Sequence, residues 1–75
     1  MLELVEERWR VLGTSGRVIT CAIYCVHGPG LEVRVGYSAD DFHMTRRVAD
    51  LRTARRLADG WRHAALATGV SELTL

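Results

Sequence analysis

Two cysteines and a histidine follow one another closely in the sequence, a combination that could bind a metal ion. Cys21, Cys25 and His27 would supply thiolate and imidazole ligands, which zinc prefers. A structural zinc site needs four ligands, usually as two close pairs, whereas His43 and His63 are far away in the sequence. We therefore interpret the cysteines as small buried residues of one strand, and we predict no metal site and no cofactor.

Two further groups could support acid–base chemistry. Asp40 and Asp41 stand beside His43, and Asp59 precedes His63 by one helical turn. Acid–base catalysis needs a pocket in which such groups converge. A capping turn explains the first group, and a surface contact explains the second. The sequence therefore predicts no catalytic residue, and an enzyme is the least favoured of the possible functions.

The arginines are the charge feature that could serve a binding function. All ten basic residues are arginine, and six of them fall in residues 42–75 against three acids, although the net charge is only +1. Arginines can neutralise nucleic-acid phosphates, and aromatic rings on a sheet can stack bases. A solvated helix face, diluted by Asp50 and Asp59, is the simpler explanation. The candidate nucleic-acid-binding residues are Arg8, Arg10, Tyr24, Arg34, Arg52, Arg55 and Arg62.

Three segments that could position these side chains have the pattern of β-strands. Residues 7–12 and 31–37 alternate polar and apolar side chains, and residues 17–26 are rich in β-branched and aromatic types. Residues 13–16 and 28–30 have the glycine-rich composition of turns. Because no helix follows either turn, neither fits a phosphate-binding loop. The pattern predicts an antiparallel meander of three strands.

The C-terminal third of the chain has the pattern of one amphipathic helix. Thr53 is the predicted N-cap and Gly69 the predicted stop. Residues 38–41 favour a single helical turn, and residues 46–51 favour a short fourth strand with Val48 facing inward. The apolar stripe of the helix comprises Ala54, Leu57, Ala58, Trp61, Ala64 and Ala65.

The predicted fold class is therefore α+β: a small antiparallel three-stranded sheet, with a short fourth strand left open, and one C-terminal amphipathic helix packed on one face. A chain of 75 residues forms a single domain, 1–75, whose ordered part covers about 7–68 with peripheral ends. A domain of this size has a marginal core. The predicted core residues are Trp9, Val11, Ile19, Cys21, Ile23, Val33, Val35, Leu57, Ala58 and Trp61.

One helix covers only one face of such a sheet, and the other face is less polar than a solvated surface usually is. Its predicted members are Arg8, Arg10, Thr20, Ala22, Tyr24, Glu32 and Arg34. A half-apolar sheet face is a natural homodimer surface. The first hypothesis is thus a small non-enzymatic interaction domain that pairs with itself or with another protein. The alternative is a nucleic-acid-binding module that uses the sheet or helix arginines.

The cellular compartment is predicted from the cysteines and from the start of the chain. On one strand the Cα atoms of Cys21 and Cys25 would lie about 13 Å apart, too far for a disulfide. Two free thiols favour a reducing compartment. The acidic start Met1-Leu2-Glu3 does not resemble a secretory signal, and no apolar run is long enough to span a bilayer. The expected location is the cytoplasm, with no membrane partner.

Three stretches of the chain resemble a group of short uncharacterised alphaproteobacterial proteins. They are residues 16–24 (Gly-Arg-Val-Ile-Thr-Cys-Ala-Ile-Tyr), 30–37 (Gly-Leu-Glu-Val-Arg-Val-Gly-Tyr) and 49–63 (Ala-Asp-Leu-Arg-Thr-Ala-Arg-Arg-Leu-Ala-Asp-Gly-Trp-Arg-His). The resemblance covers about residues 8–68 and implies a β-β-β-α domain of bacterial cytoplasmic origin. It implies no activity and no site residue. The architecture is also similar, more distantly, to the small DNA-binding domains of integrases, but a fold alone does not define a function.

Overall fold

The computed structural model describes residues 2–26 and 30–73. Within these residues the chain forms a five-stranded antiparallel sheet and one helix. The strands lie in the order β4-β3-β2-β1-β5, so the chain crosses the sheet strand by strand and the helix then returns it to the opposite edge. The elements are β1 (Glu3–Leu12), β2 (Val18–Cys25), β3 (Leu31–Gly36), β4 (Phe42–Val48), α1 (Leu51–Leu66) and β5 (Ser71–Leu73).

The α+β class is confirmed, but the predicted strand count was too low. β4 is seven residues long and spans Phe42–Val48, whereas the predicted fourth strand covered residues 46–51, of which Leu51 already belongs to the helix. The segment before β4, residues 38–41, is a tight turn and not the predicted turn of helix. In that turn the Tyr37 amide donates to the Asp41 carbonyl at 2.8 Å, and the Asp41 amide donates to the Ser38 hydroxyl at 3.1 Å. Val48 packs against the core, as predicted.

β5 and the first residues of β1 lie in the ends that were predicted to be peripheral. β5 is three residues long and pairs with β1 through Arg10–Leu12. So short a strand carries no period-two pattern of its own, and pairing with β1 is what makes it a strand. At the other end, β1 already begins at Glu3, opposite Cys25.

Two bulges in β1 change which side chains face the helix. The pairing of β1 with β2 shifts between Leu4 and Glu6 and again between Glu7 and Trp9. Each shift adds one residue to β1 and breaks the simple alternation of faces. Trp9 still lies on the helix side, opposite Cys21, while Arg8 falls in the second bulge.

Helix α1 begins three residues earlier than predicted. Its N-cap is Asp50, whose carboxylate accepts a hydrogen bond of 2.7 Å from the Thr53 amide. The hydrogen bonds from Thr53, together with the nearby charges of Arg52 and Arg56, lower the pKa of Asp50. The predicted stop is confirmed, since Gly69 follows the last turn with φ +91°.

The core lies between α1 and the helix side of the sheet. Of the predicted core residues, Ile19, Leu57 and Trp61 are half-buried and pack at its margin. Ala54 of the predicted apolar stripe is buried, and so is Ala22, which was predicted to lie on the uncovered face. No helix in the described part of the chain is long and apolar enough to cross a membrane. The other predicted members are buried: Trp9, Val11, Cys21, Ile23, Val33, Val35 and Ala58.

Candidate functional site

The side of the sheet opposite α1, called here the helix-free face, is the first candidate surface. Strand alternation and the pairing registers place the same positions of β1 to β4 on this side. Cross-strand partners on this face form rows of side chains that cross the sheet from β1 to β4. Its members are Leu4, Glu7, Arg10, Leu12, Val18, Thr20, Ala22, Tyr24, Glu32, Arg34, Gly36, Phe42, Thr45 and Arg47.

The centre of the helix-free face is a shallow hollow of about 180 Å³. Its floor consists of the small residues Thr20, Ala22 and Gly36, and its rim includes Tyr24 and Arg34. Ala22 is only 3% exposed although no helix covers it, because the side chains around the hollow shield it. The sequence did not reveal this concavity, since it arises from small residues on two adjacent strands.

Gly36 allows the chain to turn closely into β4. A Cβ atom at this position would lie 2.5 Å from the Asp41 carbonyl oxygen and would also collide with the Phe42 Cα atom. Any side chain would therefore push the start of β4 away from β3. The hollow and the tight turn beside it depend on the same glycine.

Arg34 is the most restrained arginine of the helix-free face. Its Nε donates to Glu32 at 2.8 Å, and its Nη1 donates to the Ala39 carbonyl at 2.6 Å. Its guanidinium carbon lies 4.4 Å from the centre of the Phe42 ring and 5.6 Å from that of Tyr24. The hydrogen bond from Arg34 lowers the pKa of Glu32, and burial raises the pKa of Tyr24. Arg34 and Tyr24 are thus both engaged within the protein.

Arg10 is held on the same face by a carboxylate of its own strand. Its guanidinium forms a bidentate ion pair with the Glu7 carboxylate, in which Nη2 of Arg10 donates to Oε2 of Glu7 at 3.1 Å. This hydrogen bonding lowers the pKa of Glu7. The charge of Arg10 is therefore neutralised at close range, as that of Arg34 is by Glu32.

Arg8 does not lie on the helix-free face, contrary to the prediction, because the bulge in β1 turns it toward α1. It donates to Glu6 at 2.7 Å and to Asp59 of the helix at 3.4 Å. Glu6 also accepts a hydrogen bond of 2.7 Å from Arg55. The hydrogen bonds from Arg55 and then Arg8 lower the pKa of Glu6 from 4.5 to about 2. These four residues form a charged cluster that ties the helix to β1.

The remaining helix arginines differ from one another. Arg62 donates to Glu72 of β5 at 2.7 Å, which fastens the short strand to the helix. Arg52 and Arg56 are exposed one turn apart, and within residues 2–26 and 30–73 neither has a carboxylate at ion-pair distance. Of the six predicted arginines, the structure thus pairs Arg8, Arg10, Arg34, Arg55 and Arg62 with acids.

An apolar groove of about 360 Å³ lies between the last turns of α1 and the sheet. Trp9, Val35 and Met44 line its sheet side, and Trp61 and Ala65 line its helix side. The groove exists because the helix presents alanines where larger side chains would reach the sheet. Those alanines were read from the sequence as part of the apolar stripe, and the groove they leave was not predicted.

The residues first considered for metal or acid–base chemistry do not converge in the described structure. Cys21 is buried, which raises its pKa to about 12, and His27 lies outside the described residues. Asp59 contacts Arg8, and Asp41 closes the turn before β4 and lies 3.8 Å from Arg17. Across the described ranges, no group of three or more His, Cys, Asp or Glu side chains could hold a metal ion.

No family model, no curated protein and no solved structure matches this chain. The resemblance to short alphaproteobacterial proteins therefore stays a prediction. The function is inferred from the chain's own surfaces.

Proposed function

We propose that this chain is a small non-enzymatic interaction domain that forms a homodimer through its helix-free face. The observation that carries the proposal is the exposure of large apolar side chains on this face. Leu4 is 57% exposed, Leu12 41% and Val18 43%, and Leu12 is paired with Val18 across β1 and β2. Apolar side chains at two ends of one face, beside half-buried aromatic rings, are typical of a surface that another protein covers.

The charges of this face support a protein partner more than a polyanion. Glu7 and Arg10 neutralise each other, and so do Glu32 and Arg34. A two-fold related copy brings acids and arginines of both chains to the same seam, where they can exchange partners. A nucleic acid would meet the carboxylates as well as the arginines, which weakens phosphate contacts on this side.

The size of the face also fits a dimer. The strands β1 to β4 are six to ten residues long and about 4.8 Å apart, which gives an area on the order of 500 Å² per copy. Two copies then bury on the order of 1,000 Å², which is the size of a small, transient interface. We infer a dimer of moderate affinity that forms and separates with concentration.

Sedimentation velocity over a concentration series tests the dimer. We expect the wild-type mass to rise toward twice 8.4 kDa, and the substitution Val18→Glu to leave a monomer at every concentration. Met44→Glu is the matched control, because Met44 is similarly exposed at 39% but lies on the helix side of the sheet. A monomeric wild type, or equal loss of the dimer in both variants, would refute this interface.

Nucleic-acid binding through the helix is the second candidate. The observation that favours it is that Arg52 and Arg56 are exposed and, among the described residues, have no carboxylate within ion-pair distance. A fluorescence titration with single- and double-stranded oligonucleotides at rising salt tests it. Binding that weakens steeply with salt and falls in Arg52→Glu supports the candidate, and no binding at low salt removes it.

A cytoplasmic setting is part of the proposal. Cys21 and Cys25 are free thiols on the same strand. Free thiols are typical of proteins that work in a reducing compartment.

A further inference from the structure

The two edges of the sheet differ in how well they are protected. At one edge β5 covers Arg10–Leu12 of β1, and the bulges at Val5 and Arg8 distort the rest of that strand. Bulges and short edge strands are common ways to prevent further pairing. At the other edge lies β4, which pairs with β3 along one side and has no described strand along its other side.

The outer side of β4, called here the β4 edge, is exposed over most of its length. Residues 43–47 are all exposed, and pairing with β3 is regular from Met44 to Val48. Five regularly paired residues are enough to accept another extended segment. The backbone groups on the free side of this strand are available to such a segment.

The charge of β4 selects among possible partners. The strand contains Arg46 and Arg47 and no carboxylate, whereas β1, β3 and β5 all contain glutamate. Arg46 is exposed, and in the described parts of the chain no carboxylate lies within ion-pair distance of it. An added strand with acidic side chains would compensate this charge, and one with basic side chains would be repelled.

The apolar groove extends the β4 edge on its helix side. Met44 and Arg46 both point to that side, two residues apart, and Met44 lines the groove beside Trp61. A segment paired with β4 would place alternate side chains over the groove and next to Arg46. The apolar groove therefore favours an apolar side chain at one of these positions, and Arg46 favours an acidic side chain at the other.

We propose that the β4 edge binds an extended acidic segment of a partner protein, which adds a sixth strand to the sheet. The helix-facing side chains of that segment are an apolar one over Met44 and an acidic one next to Arg46. The occupant is not a second copy pairing through its own β4, because that strand contains no carboxylate to compensate Arg46 and would bring a second Arg46 to the same seam. The proposed contacts use the outer backbone and the helix-facing side chains of β4, which do not belong to the helix-free face, so the proposal does not depend on the dimer.

A synthetic peptide tests the proposal. The probe is the fluorescein-labelled peptide Glu-Val-Thr-Glu-Thr-Val-Glu, whose extended form places valine and glutamate two positions apart on one side of the strand. It is titrated against the full chain and followed by fluorescence anisotropy. We expect saturable binding that weakens at least tenfold in Arg46→Glu and less than twofold in Arg52→Glu. The second variant is the matched control, since Arg52 is an equally exposed arginine that lies on the helix and not on β4.

Two modified peptides separate strand pairing from simple charge attraction. Methylation of alternate backbone nitrogens keeps the charge but blocks pairing, and we expect it to abolish binding. Replacement of glutamate by lysine should do the same. Equal binding of either peptide, or equal weakening in both arginine variants, would overturn the proposal. The proposal would also be overturned if the mass of Arg52→Glu rises with concentration while Arg46→Glu stays a monomer, because a second copy would then occupy β4. Circular dichroism and cooperative urea unfolding confirm that each variant is folded.

Discussion

The two faces of the sheet use ion pairs in different ways. On the helix side, Glu6 contacts Arg55, and Arg8 contacts Asp59, so each pair joins residues about fifty positions apart. On the helix-free face, Arg10 contacts Glu7 and Arg34 contacts Glu32, three and two positions away. The first set ties separate elements together, whereas the second set holds side chains of one strand in place.

This difference shows that an arginine's role depends on the sequence distance to its partner. A pair between β1 and α1 forms only when the fold is complete, so it contributes to stability. A pair within one strand can form in the unfolded chain as well, so it adds little to stability. The local pairs instead give the helix-free face a balanced, ordered surface.

The largest expected effect concerns the core on the helix side. Trp9 is 3% exposed and donates from Nε1 to the Ala58 carbonyl at 2.8 Å. We expect Trp9→Ala to lower the free energy of unfolding by about 3–5 kcal/mol, measured by urea denaturation. Trp61 was also a predicted core residue, but its side chain is half-buried at the groove, so Trp61→Ala should cost about 1–2 kcal/mol. Equal losses in the two variants would contradict this distinction.

The helix-free face should be most sensitive at its glycine. Gly36→Ala forces a methyl group into the Asp41 carbonyl and the start of β4, and we expect a loss of about 2–3 kcal/mol. The matched change on the helix is Gly60→Ala, where the added Cβ meets nothing within 4 Å. That variant should gain about 0.5–1 kcal/mol, because alanine favours a helix interior. Thermal denaturation of both variants should show a lower melting temperature for Gly36→Ala and a higher one for Gly60→Ala.

The smallest effect tests the two kinds of ion pair directly. Glu6 is the carboxylate whose pKa is lowered to about 2 by Arg55 and Arg8, so its stabilisation is present above pH 4.5 and is lost as the pH falls toward 2. We expect Glu6→Gln to cost about 1 kcal/mol at pH 7 and almost nothing near pH 2, since solvent screens the pair. Glu7→Gln should cost less than about 0.5 kcal/mol at either pH. Urea denaturation at a series of pH values compares the variants.

The sequence predicts the parts of this fold that follow a regular period. The alternation in residues 31–37 located β3, and the stripe from Ala54 to Trp61 located the buried side of the helix. The assumption of regular alternation was wrong at β1, because a bulge inserts an extra residue and the residue types of the strand do not show where it lies. Arg8 was therefore placed on the wrong face.

The candidate surfaces were predictable only in part. Tyr24 and Arg34 were placed together on the uncovered face, and they do lie there. The pairing of Arg55 with Glu6 and of Arg62 with Glu72 depends on how the helix crosses the sheet, which no local pattern encodes. The apolar groove likewise depends on the distance between two layers. The sequence shows which side chains are available, and the packing decides which of them remain accessible.

The position of β5 has a consequence for how the chain assembles. β2, β3 and β4 each pair with the strand before them, so their contacts form between near neighbours in the sequence. β5 instead pairs Leu73 with Arg10, which closes a loop over almost the whole chain. Closing so long a loop has a large entropic cost and is therefore slow, whereas the strands of a meander can pair one after another. We therefore expect the four-stranded meander to form first and the C-terminal strand to attach last.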